Sequence, residues 1–132
     1  MTLMAETITL ERLETLLADE SISTVHRALW LLLWEGDLRV LDLLALDVRD
    51  VRLAEREVTT SSRGNQPAGE VDFSERAAGL LGELIGDRDE GPLFAVGGRA
   101  LSWESAMQVA QEQGHVIHAF RTGGKRHRQS TE

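Results

Sequence analysis

An unbroken apolar run, Ala28-Leu-Trp-Leu-Leu-Leu-Trp34, is followed at once by Glu35-Gly36-Asp37, and this junction constrains the chain more than any other feature. The run is far too short to cross a membrane, which takes about 20 apolar residues. It reads instead as the body of a helix from Thr24 to Trp34, capped by Ser23 and stopped by Gly36. Trp30, Trp34 and, further on, Trp103 sit among helical apolar positions and read as core anchors rather than as platforms for stacked bases. A further helix is predicted from about Asp37, a good N-cap residue, to Leu46, with Arg39 and Asp42 one turn apart on it.

The flanking segments complete a mixed pattern. Leu10, Leu13, Leu16 and Leu17 predict a first helix over 10–18, with Thr9 as cap and Glu11 in the first turn. After Leu46 the period shortens. Val51 to Thr60 and Glu70 to Phe73 carry β-branched residues in alternation, and residues 61–69 between them are dense in turn formers. That combination predicts a β-hairpin with a long loop. Helical spacing returns from Ser74, a cap, to Ile85, with Gly86 as stop. A short strand is expected at Leu93 to Val96, a turn at Gly97-Gly98, and another helix from Ser102 to near Gly114. Gly123-Gly124 and the polar, basic end predict a flexible tail. The expected organisation is one domain over 1–121 and a tail over 122–132. Its class is α+β, mainly α, with a small antiparallel sheet.

Length and composition set the outer bounds. A chain of 132 residues with 42% apolar and 27% charged content suits one soluble globular domain. Cysteine is absent, which excludes disulfides and thiolate metal sites. Residues 1–10 lack the basic and apolar regions of a signal peptide, so a cytoplasmic location is expected and no membrane association. His115 and His118 have the spacing of helix-borne metal ligands but lack an evident third ligand, so neither metal nor cofactor is predicted. Net charge is −8 and unevenly spread. Residues 118–132 carry +3, which leaves −11 on the body. An acidic body disfavours non-specific DNA binding, whose affinity comes largely from phosphate neutralisation. The basic run Lys125-Arg126-His127-Arg128 offers a local exception.

Several short motifs, taken together in order, resemble the catalytic domain of the tyrosine recombinases, the phage-integrase family. Gly36-Asp-Leu-Arg39 with Leu43-Leu-Ala-Leu46 resembles that family's first arginine box, and Asp42 stands where an acid is usual. Arg63-Gly-Asn65 and Val71-Asp-Phe-Ser74 resemble the hairpin that normally carries a lysine. Gly91-Pro-Leu-Phe94 and Gly98-Arg-Ala-Leu-Ser102 resemble the connection to the next helix, and His118-Ala-Phe-Arg121 resembles the His-x-x-Arg box. The register runs from Thr24 to Arg121. The resemblance implies that Arg39, Arg63, His118 and Arg121 descend from a phosphate-binding site used in DNA recombination.

The departures carry as much weight. Arg63 replaces the hairpin lysine, Thr122 replaces the histidine after the second arginine, and the chain contains no tyrosine. In the family, two arginines clamp the scissile phosphate, a histidine and a lysine handle protons, and tyrosine attacks phosphorus. Arg39, His118 and Arg121 can form an anion cradle, but no nucleophile accompanies them. The expectation is therefore a tyrosine-recombinase-like domain lacking the C-terminal helices and no enzyme. Its role is either a DNA-associated regulatory or accessory factor, with Lys125, Arg126 and Arg128 assisting, or a protein-interaction module that has lost DNA binding. Phosphoryl transfer by water or a nucleophile from another chain is the third class. Without later helices, the surface near Trp34, Leu43 and Phe120 needs cover from the first helix, a second copy or a partner.

Overall fold

The computed structural model describes residues 8–36, 38–60 and 69–130. Among the described residues, six α-helices and two small antiparallel sheets follow one another in the order α1 Leu10–Ala18, α2 Thr24–Glu35, α3 Val40–Leu44, β1 Val51–Arg52, β2 Glu57–Thr60, β3 Gly69–Asp72, α4 Glu75–Ile85, β4 Ala95–Val96, β5 Arg99–Ala100, α5 Trp103–Glu112 and α6 His118–Ser130. Among the described residues no helix is long and apolar enough to cross a membrane.

The apolar helix α2 is the centre. Leu29, Trp30 and Leu33 are fully enclosed, and the other helices gather on it because it is apolar on every side. α1 presents Leu13, Leu16 and Leu17 to α2 and α6, and the Thr9 hydroxyl accepts the Arg12 N–H at 3.1 Å as its cap. α4 also packs on α2, where the Glu35 carboxylate accepts both the Ser74 N–H (3.0 Å) and the Ser74 hydroxyl (2.5 Å). The Ser74 oxygen in turn accepts the Ala77 N–H, so one residue caps α4 and fastens it to the end of α2. Arg76 and Glu14 add a 2.5 Å ion pair between α4 and α1.

The sheet differs from the predicted hairpin in one respect. Residues 51–60 form two strands, because the turn at 53–56 folds the segment back on itself. Arg56 takes a positive φ of 56° there, a conformation that no glycine in the sequence advertised. β2 then pairs with β3, with Val58 opposite Val71, and Val58 is the strand residue driven into the core. β4 and β5 form a hairpin closed by Gly97 and Gly98, both at positive φ (61° and 82°), as a two-residue turn of this hand requires.

α3 is shorter than predicted. Arg39 remains extended, the helix begins at Val40, and Arg39 is its N-cap rather than a residue inside it. The Asp42 carboxylate accepts the Arg39 backbone N–H at 3.3 Å, so Asp42 serves the helix start. Beyond α3, residues 46–48 run antiparallel to 91–93 through Leu93 N–H to Leu46 O (2.9 Å) and Val48 N–H to Gly91 O (2.8 Å). Arg88 fixes the approach to that loop by donating to the carbonyls of Leu84, Ile85, Pro92 and Leu93.

The largest departure lies at the C-terminal end. The segment expected as a flexible tail over 122–132 is helical as far as residue 130, and α6 continues through Gly123-Gly124. Both glycines are buried, because α6 and the chain around α2 meet almost backbone to backbone there. Phe120 stacks on Trp30 at a centroid distance of 4.8 Å with ring planes 3° apart. Arg128 donates to the carbonyl oxygen of Trp34 in the last turn of α2. Trp34, Leu43 and Phe120 are all buried, with α6 packed on α1 and α2, and α3 packed on α5.

Candidate nucleic-acid interface

α6 sorts its residues by helical geometry. Ala119, Phe120, Gly123 and Gly124 face the core. His118, Arg121, Lys125 and Arg128, spaced by three, four and three residues, follow one another along the adjoining side. His118 opens the helix and is exposed, with its ring 5.6 Å from that of Trp103 at the start of α5. Arg121 and Arg128 are half-buried, and Lys125 projects into solvent. Arg128 is part scaffold and part surface, since one guanidinium nitrogen serves the Trp34 carbonyl. Arg126 lies off this line and borders an open cleft of about 590 Å³ walled by Trp34 and His127.

Arg39 reaches the surface from a different element. Its backbone is held at the cap of α3, where Val40 and Leu43 plug into the same core as Phe120. Its side chain is exposed. Arg63, the fourth residue expected at the site, lies outside the described residues.

The histidines diverge. His115 is buried in the turn before α6, whereas His118 faces outward. Among the described residues no group of three or more His, Asp or Glu is placed to hold a metal ion. Sequence reasoning missed Trp103 as the wall behind His118, because only the fold brings the starts of α5 and α6 together. It also missed how many arginines are spent on scaffold. Arg27 donates to the carbonyls of Leu17 and Ile22, Arg12 to that of Gln113, and Arg88 to four more. No motif separates these residues from Arg39.

No protein-family model matches this sequence, and no curated protein does. Solved structures do match it. The crystal structure of XerA recombinase superposes with a TM-score of 0.76 at 20% identity, over 93% of this chain and 50% of that one. The chain has a tyrosine-recombinase-like fold. The Tn1549 transposon integrase, solved in complex with circular intermediate DNA, aligns with a TM-score of 0.58 at 15% identity, over 89% of this chain and 52% of that one. This recombinase-like chain thus spans about half the length of the solved chains it matches. The mainly α architecture with small antiparallel sheets agrees with the fold expected from the motifs.

Proposed function

We propose that this chain is a non-catalytic tyrosine-recombinase-like module that associates with DNA through backbone phosphates, as a regulatory or accessory factor. The observation that carries this reading is the row His118, Arg121, Lys125 and Arg128 along one side of α6. It occurs in a fold shared with an integrase that was solved on DNA. Guanidinium groups suit phosphate because their planar N–H forks bind its oxygens in pairs. Exposed Arg39 supplies a second fork at the cap of α3. Chemistry would need a nucleophile, and this chain offers no tyrosine to attack phosphorus. The −11 charge of residues 1–117 limits binding to the basic side and keeps it weak and salt-sensitive.

Fluorescence anisotropy with a labelled duplex across a salt series tests this. Wild type should bind at low salt, and Arg39→Ala/Arg121→Ala should bind more weakly, with the log–log salt slope reduced by about 1 for each phosphate contact removed. No binding at low salt would remove DNA from consideration. A second reading, a protein-interaction module, is favoured by the acidic body and by Leu41, a leucine 52% exposed two residues from Arg39. Retained pull-down of a protein partner by the double variant would favour that reading.

A further inference from the structure

α1 is fastened to the body by a contact whose chemistry works in one protonation state only. The Arg12 Nε–H points at His115 Nε2 at 3.3 Å, while a second Arg12 nitrogen donates to the Gln113 carbonyl at 3.2 Å. A guanidinium can only donate, so His115 Nε2 must be the acceptor and the ring must be neutral with its proton on Nδ1. His115 Nδ1 is buried and has no hydrogen-bond partner, so no acceptor at that nitrogen stabilises the charged ring. The ring lies edge-on to Phe120, 6.1 Å between centroids, and Phe120 stacks on Trp30. The latch therefore sits where α1 meets the core pair of α2 and α6.

We propose that the Arg12–His115 contact is an acid-labile latch: protonation of His115 turns its acceptor into a donor that faces a permanent cation, and α1 loosens from α2 and α6. This device is independent of the DNA reading. The groups around it agree in direction. Burial, and then the Arg12 charge from α1, hold the His115 pKa below its ordinary value. From α2, His26 is likewise held low by burial, opposed by the charge of Glu112 at the end of α5. Because the docked state disfavours the charged ring, the latch contributes fully above about pH 6.5, the ordinary histidine value. Its contribution is lost as pH falls from there through the depressed value. The Arg12–His115 contact ties only α1 to the body, so α1 loosens while the remaining helices stay folded.

Amide hydrogen exchange between pH 7.5 and 5.5, corrected for intrinsic rates, reads this directly. Protection at Leu13, Leu16 and Leu17 should fall relative to Leu81 of α4 by up to about tenfold per pH unit below 6.5. His115→Gln keeps an acceptor for Arg12 but cannot titrate, so its α1 protection should stay level across the range. Flat α1 protection in wild type, or an equal slope in His115→Gln, overturns the latch. Imidazole ¹⁵N spectra of the wild-type protein give a second measurement that needs no variant. A neutral His115 with its proton on Nδ1 and a midpoint below about 6.5 is expected. A proton on Nε2, or an ordinary midpoint, overturns the proposal.

Discussion

Helices α4 and α6 each carry two glycines, Gly79 and Gly82 in one and Gly123 and Gly124 in the other, and the two pairs have opposite meanings. A Cβ at Gly79 or Gly82 would meet nothing within 4 Å, so those positions only forgo helix propensity. A Cβ at Gly123 would run into the main chain of Ile8, and one at Gly124 into the carbonyl of Trp34. Main chain cannot swing aside as a flexible side chain can. In α6 the same residue type permits a close helix approach, and that approach lets Phe120 lie flat on Trp30 and Arg128 reach the last turn of α2. The Trp34 carbonyl belongs to the end of a helix, where carbonyls lack intrahelical partners and a cation is favourable. A glycine in a helix is therefore judged by what stands opposite it.

Four substitutions break or sharpen this contrast. The largest effect is expected from Phe120→Ala, which removes the ring that the close approach serves and leaves a cavity beside Trp30. A loss of about 3–5 kcal/mol is expected in urea unfolding. A loss below about 1 kcal/mol, the level of a surface substitution, would mean that α6 contributes little to the core. Gly124→Ala comes next, destabilising by about 1–3 kcal/mol despite the better helix former, because the added methyl group overpacks against backbone. A stabilised Gly124→Ala protein would show that α6 stands further from α2. Gly82→Ala reverses the sign. It should raise stability by about 0.5–1 kcal/mol, read as a shift of the urea midpoint at constant slope.

The glycine pairs also explain what was legible in the sequence. α1, α2, α4 and α5 could be read because their caps and apolar spacing are local. Thr9, Ser74 and Ser102 each accept the N–H three residues on, as their types and positions predict. α6 beyond Arg121 could not be read, because Gly123-Gly124 is a breaker by local rules and becomes helical only through the surface opposite it. The split at 53–56 was hidden because Arg56, a residue without turn preference, takes the positive φ. At the candidate site, only the local helical spacing could be read. His118 and Arg121 share a helix as their spacing requires, whereas the use of Arg128 on Trp34 and the placing of Trp103 behind His118 depend on long-range packing.

The smallest effect separates arginines at the helix seam from those on the sheet. Arg52 on β1 reaches Glu57 at 3.0 Å and Glu70 at 3.1 Å, bridging all three strands across a face that remains open to water. In that setting, attraction is screened and the long side chain loses rotamer freedom, so exposed pairs contribute less than about 1 kcal/mol. The strand register has a stronger determinant in Val58, the one described strand side chain that is buried. Arg52→Ala should therefore lower the melting temperature only slightly at low salt. The difference should shrink towards zero at 1 M salt, where the screening length is about 3 Å. Thermal melts of both proteins at the two ionic strengths give the comparison. A larger loss that persists at high salt would mean that the bridge, rather than Val58, sets the register of the sheet.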